Sequence, residues 1–457
     1  MWRTLPVCAW LLLPSLAVRA ADAPKEMVIR LTVQPMPLPK PALKYQLLPE
    51  LREMNPGNPI QAYYKCFAEQ HNFWKNKEIV QKRENWQTMP LRDLPLEEIR
   101  KSGHARGSNP FRFADHAARL DSPDWQILVE FKRDGPLLLL PDVQQLRELA
   151  AALKVRFRVE VADRHFDDAL ATAKTMLALS RHLGENPTLI CELVAIAVGS
   201  LALGPIDEMI EQPGCPNLFW ALTDLPRPFI DLHKGVQGDR MMITTDVFAS
   251  LTDDAPMNES QGQNILERLR RLVKEAQVNA DVDEWMKKLS QDEDYLRQAR
   301  KRLIDSGLTE AKVKQFPAPQ VIFLDEKREF LVYRDECRKA MSLPYWQAEP
   351  ILTVFDSRRQ RPFAPLSWLG GMGYLKVKTA QTRLDQRIAL LSCVEALRMY
   401  AAEHDGKLPA KLDDIRLPLP VDPAAGKPFS YKVDGKTAHL QGVSLGLQVR
   451  YEVTIGN

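Results

Sequence analysis

The densest run of ligand-type side chains is DRHFDD, which gathers Asp163, His165, Asp167 and Asp168. Carboxylates and an imidazole this close suit a divalent cation. They equally suit the first turn of a helix, where the N-terminal dipole stabilises acids. Helical spacing follows, so a helix start is the expectation. Glu192 interrupts the apolar run Thr188 to Ile206. An acid there is either a perturbed functional group or a core carboxylate paired with Arg or Lys, and the paired core acid is expected. The stretch VDPAAGKPFSYKVDG, Val421 to Gly435, contains a Gly-Lys pair. A phosphate loop needs G-x-x-x-x-G-K-[ST]. Here its first Gly falls on Val421 and its hydroxyl on Pro428, which has no N–H to offer. Turning the chain is the expected role. The eight histidines are scattered, and neither His-Glu-x-x-His nor Gly-x-Ser-x-Gly occurs. Cys66, Cys191, Cys215, Cys337 and Cys393 are widely spaced with no Cys-x-x-Cys pair, so they read as small buried residues rather than zinc ligands. No catalytic, cofactor-binding or metal residue is assigned.

The elements that would position such groups are mostly helical. In Pro141 to Leu203, Leu146, Leu149, Ala150, Leu153 and Phe157 form one helical stripe. Ala169, Ala173, Met176, Leu177 and Ser180 form a second, stopped at Gly184. Asn186-Pro187 has the form of a cap and first residue for a third helix. Its apolar part, Leu193 to Leu203, is about eleven residues and reads as a core helix rather than a membrane span. Residues 204–229 are punctuated by proline and suggest short helices. Ile265, Leu266, Leu269, Leu272 and Val273 predict an amphipathic helix with a charged outer face. A long helix is expected from about Lys376 to His404, with Ile388, Leu390, Leu391, Val394, Leu397 and Ala401 as its apolar stripe. Asp434-Gly435 predicts a hairpin turn, and LQVRYEVTI alternates as a strand buried on one face.

The chain has 457 residues, 34 of them Pro against 21 Gly, and a net charge of +3. Helices joined by stiff connectors suit that ratio, and no basic field is available to hold nucleic acid. Arg358, Arg359 and Arg361 form a small basic cluster without aromatic interleaving. The N-terminus, MWRTLPVCAWLLLPSLAVRAADA, has a charged start, an apolar run and the small-x-small site Val18-Arg19-Ala20. That is the layout of a secretory signal peptide. We therefore divide the chain into a signal peptide at 1–20, an extended lead-in at 21–45 with MVIRLTV as a short strand, a helical domain at 46–343, a connector at 344–375 and an α+β domain at 376–457.

Two resemblances add to this. ALRMYAAEHDGKLPAKLDDI…LPVDPAAGKPFSYKVDG, within residues 380–441, resembles the globular part of the major pseudopilins of type II secretion. Their helix ends in a similar Leu-x-x-Tyr…Gly-x-x-Pro-x-x-Leu string and leads to an Asp-Pro-x-Gly-x-Pro-x-x-Tyr loop. Ala424-Ala425 lengthens that loop here by one residue. The resemblance implies a long helix on a small antiparallel sheet. The family's acidic calcium loop is replaced by QGVSLGLQVRYEVTIGN, with Glu452 its one acid. Asn58-Pro59 before Ala62-Tyr63-Tyr64, and RHFDDALATAKTML with Ala169 at the small-residue position, resemble tetratricopeptide repeats. The whole layout is also similar to uncharacterised exported bacterial proteins. The expected fold class is mainly α: an irregular antiparallel, tetratricopeptide-like helical array with a small α+β C-terminal domain. The expected function is an exported, non-enzymatic binding or scaffold protein of the bacterial cell envelope. Its partner would be another envelope protein, with no cofactor, no nucleic acid and no membrane span after signal cleavage. The alternatives are an accessory component of a secretion or pilus-like system, and an envelope hydrolase with an unrecognised site.

Overall fold

The computed structural model describes residues 25–68, 71–130, 138, 140–238, 248, 251–275, 281–358 and 373–456. The expected signal peptide, Arg359 and Arg361 lie outside them. The fold is mainly helical with one small sheet. Strand β1, Lys25–Val33, comes first. Short helices follow, among them α1, Pro59–Lys65; α2, Lys77–Trp86; and α3, Asn109–Ala117. The Asn58 side chain accepts the Ile60 N–H at 3.0 Å, with Pro59 at the first helical position.

Helices α4 (Pro141–Ala162), α5 (Phe166–Gly184) and α6 (Leu189–Ile210) pack on one another as the body of the array. The two stripes read from the sequence are buried, and α5 does end at Gly184. The third helix departs twice from expectation. Its cap is Thr188, whose hydroxyl accepts the Cys191 N–H at 3.2 Å and donates to the Asn186 carboxamide. It also runs through Pro205 to Ile210 instead of breaking near residue 204. By length and composition α6 could cross a membrane; here it packs against α4, α5 and a later helix, and most of its length is buried.

Helices α7 (Glu259–Glu275), α8 (Val282–Gln291) and α9 (Glu293–Asp305) close a second core around Ile265, Leu269, Trp285, Ala299 and Phe323. Helix α10, Ala318–Met341, joins the cores: Val321 to Leu324 belong to the second, Cys337, Ala340 and Met341 to the first. The connector expected at 344–375 contains a helix, α11, Tyr345–Arg358. It packs against α10 and the next helix, with Ala348 and Leu352 in the main core.

Helix α12, Tyr374–Glu403, is the expected long helix. Its apolar stripe is buried, and so are Cys393, Glu395, Ala396 and Arg398, so it runs through the middle of the molecule. Arg398 pairs with Glu395 at 2.9 Å and donates to the Cys215 carbonyl, which satisfies a charge pair wholly inside protein. Strands β2 (Ser430–Asp434), β3 (Thr437–Gln441) and β4 (Leu447–Ile455) follow as an antiparallel meander. Asp434 still pairs with Thr437, so Gly435 and Lys436 form the turn, and Gly435 takes the φ of +58° that the turn requires.

The sheet is mixed, not antiparallel throughout. Its order is β1-β4-β3-β2, and β1 runs parallel to β4 from Lys25↔Leu447 to Val33↔Ile455. A parallel neighbour needs a crossover, and here nearly the whole chain lies between the two strands. The lead-in is therefore part of the C-terminal sheet, and one core runs from Leu31 through α4, α5, α6 and α12 to Ile455.

Candidate functional site

The side chains that suggested chemistry in the sequence are taken up by the fold. Asp163 accepts two hydrogen bonds from Arg100, at 2.7 and 2.6 Å, and Asp168 pairs with Arg106 at 2.8 Å. Asp167 and Asp168 lie in the first turn of α5. Among the described residues no group of His, Cys, Asp or Glu is placed to hold a metal ion. The five cysteines among the described residues are all buried, and burial pushes the thiols of Cys66, Cys191, Cys215 and Cys393 up to about 12, far from a reactive thiolate. Glu192 is fully buried and accepts the Gly235 N–H in the short helix 233–238.

The VDPAAGKP loop is organised by Asp422. Its carboxylate accepts from Ala424 N–H at 2.8 Å, Val443 N–H at 2.7 Å and Gln386 Nε2 of α12 at 2.9 Å. Its carbonyl accepts the Gly426 N–H at 2.8 Å. Gly426 is required at its place. It has φ +65°, and a Cβ there would lie 2.8 Å from Trp346 Cζ2. The loop thus lies against Trp346 and presents Pro420, Val421 and Pro423 to an adjoining cleft.

That cleft, about 620 Å³, is enclosed by four separate stretches. Helix α12 contributes Lys378, Gln381, Thr382, Asp385, Ile388 and Ala389, which helical spacing puts on one face. Residues 226–236 form a second wall, pinned from behind. The Phe229 N–H donates to the Asp385 carboxylate at 2.9 Å, Gln381 Nε2 donates to the Ile230 carbonyl at 2.7 Å, and Arg181 donates to the Phe229 carbonyl at 2.9 Å. Asp231 accepts the His233 N–H at 3.0 Å and opens the helix that Glu192 holds. The end of α10 and the start of α11 supply Arg338, Met341, Tyr345 and Trp346, and the Asp422 loop closes the ring.

Charge in the cleft is set by burial. Lys378 is 8% exposed and donates to the Met341 carbonyl at 3.1 Å. Burial holds its pKa below the usual lysine value, against the pull of Asp385 and Asp231. Burial likewise pushes the Asp385 carboxyl up to about 6, opposed by the Phe229 N–H and by the charges of Lys378 and Arg227. The nearby hydroxyls are committed: Thr382 Oγ1 donates to the Lys378 carbonyl at 2.8 Å and Ser342 Oγ to the Arg338 carbonyl at 3.3 Å. The arrangement can bind charge next to an apolar wall, and it can exchange a proton near pH 6.

Sequence reasoning did not single out Lys378, Asp385, Asp231, Arg227 or Trp346. A signal existed in α12, where Lys378, Gln381, Thr382 and Asp385 form a polar stripe on a helix with broad apolar faces. Spacing alone cannot tell a stripe facing a cleft from one facing bulk water. No protein-family model matches this chain, and neither a curated protein nor a solved structure matches it.

Proposed function

We propose that this chain is an exported binding protein of the bacterial cell envelope that acts without catalysis, and that the cleft between α10, α11, α12 and residues 226–236 is where its partner engages. One observation carries this reading. The cleft walls are fixed from behind by hydrogen bonds, while the Thr382 and Ser342 hydroxyls are tied to their own helices. Fixed walls lower the ordering cost of association, and a concave site with apolar lining and a few charged groups is the usual form of a ligand pocket. Trp346, 42% exposed at the rim, offers the aromatic anchor that interfaces favour. The test is photo-crosslinking in cells, with a photoreactive side chain introduced in place of Trp346 or, as a control, of exposed Leu51. A reproducible adduct with an envelope component from the Trp346 site alone is expected. Identical patterns from both sites, or none from either, would overturn the proposal.

A further inference from the structure

The cleft has a surplus of hydrogen-bond donors, and that surplus names what it takes. Lys378 has three N–H groups and gives one to the Met341 carbonyl. Arg227 and Arg338 each carry five, and neither side chain holds a hydrogen bond or close ion pair among the described residues. Each of the two carboxylates accepts a backbone N–H, Asp385 from Phe229 and Asp231 from His233, and among the described residues neither closes an ion pair with the three cations. Three cations face two acids, with His233 and Tyr345 the remaining titratable groups of the lining. The Tyr345 hydroxyl is 3.4 Å from Thr379 Oγ1. Donors without acceptors ask for an anion, and the one excess positive charge asks for a single negative one. Pro226, Pro228, Leu232, Pro344, Trp346 and Ile388 supply an apolar wall beside them.

Resting on the binding role proposed above, we infer that the cleft takes a carboxylate joined to an apolar group, set on Lys378 and flanked by Arg227 and Arg338. A peptide C-terminus and a free organic acid share that chemistry. The buried ammonium is the anchor, because a charge-assisted bond made away from water is stronger than one at the rim. Asp385 opposes the ligand when ionised, since two negative charges then share one cation.

The test is isothermal titration of the full chain at pH 7.5 with three probes: a tripeptide ending in a free leucine carboxylate, the same tripeptide amidated, and octanoate. The free acid is expected to bind at least about tenfold more tightly than the amide. Octanoate binding as well as the peptide would support the free-acid source; peptide binding alone would support the chain terminus. Lys378→Met keeps the packing and should weaken the acid about tenfold or more. Asp385→Asn keeps an acceptor for the Phe229 N–H and should tighten binding several-fold, a gain that misfolding cannot produce. Equal affinity for acid and amide, or no change in either variant, overturns the inference. If no acid binds while the Trp346 crosslink persists, the carboxylate assignment falls and the binding role stands; if both fail, both fall.

Discussion

His104 shows how much one residue's state depends on neighbours that are distant in sequence. It is fully buried, and Arg83 Nε donates to its Nε2 at 3.0 Å, so that nitrogen carries the lone pair. The proton therefore sits on Nδ1, which donates to Ser102 Oγ at 2.9 Å, and that hydroxyl passes its own to the Ile99 carbonyl at 2.7 Å. Phe73, Trp86 and Phe111 surround the ring. A second proton would face the Arg83 guanidinium with no water to separate them. Burial, and then the Arg83 charge, hold the His104 pKa down to about 3. The unfolded histidine titrates near 6.5, so His104 supports the fold fully above pH 6.5 and progressively less as pH falls toward 3. At pH 4.5 the neutral imidazole is about two units below its unfolded pKa, worth about 2–3 kcal/mol. Urea denaturation at pH 7.5 and 4.5 should show the wild type losing about that much more stability than His104→Gln. Equal losses would mean that the imidazole is charged or solvated. In the sequence His104 is one histidine among eight, and no local pattern discloses its burial.

At the scale of elements, the periodicity of the apolar residues was a sound guide to helices and a poor one to where they stop. The stripes of α4, α5 and α12, the Asn58 cap and the Gly184 stop are all local signals, and the structure carries them. The continuation of α6 through Pro205 is not local. Proline removes one helical hydrogen bond and disfavours helix in the residue before it through that residue's Cβ; Gly204 has none. Beyond the proline, Ile206, Met209 and Ile210 are in the main core, and Asp207 accepts from Tyr451 at 3.0 Å and pairs with Arg387. Packing outweighs the lost bond. The near end of the same helix positions the cleft wall, because Glu192 accepts the Gly235 N–H while a Cβ on Gly235 would overlap its carboxylate. Gly235→Ala should therefore cost about 2–4 kcal/mol, through overpacking and displacement of the N–H from the buried acid. Glu192→Ala in the same chain should recover part of that cost, since the two residues collide. Chemical denaturation of the two single variants and the double variant measures the coupling; strictly additive losses would contradict the collision.

Across the whole molecule, the sequence suggested a body and a separable tail, and the structure joins them at two places. The alternation in MVIRLTV identified a strand, but a pairing between Lys25–Val33 and Leu447–Ile455 leaves no trace in either segment, because register depends on the partner's position and not on local spacing. Helix α12 likewise looked like one with a single buried face. Its spacing cannot reveal that Cys393, Glu395 and Arg398 are enclosed too, with Arg398 reaching the body at the Cys215 carbonyl. The consequence is a prediction about residues 376–457, which contain the expected α+β unit. Cut from the chain, they expose the part of α12 that packs on the body and lose β1, whose Leu31 and Val33 are buried in the main core. The Glu395–Arg398 pair would lose the carbonyls of Gln34, Cys215 and Pro216 that now take up the guanidinium. Arg387 would lose Asp207, on a helix the fragment lacks. A four-stranded sheet reduced to a three-stranded meander on an uncovered helix buries too little apolar surface to offset its ordering cost. The fragment should show weak helicity by circular dichroism and a collapsed amide spectrum by NMR. The full chain should unfold in its main core as one transition that includes the sheet. A well-dispersed spectrum from 376–457 alone would establish the tail as an autonomous domain and overturn the single-core view.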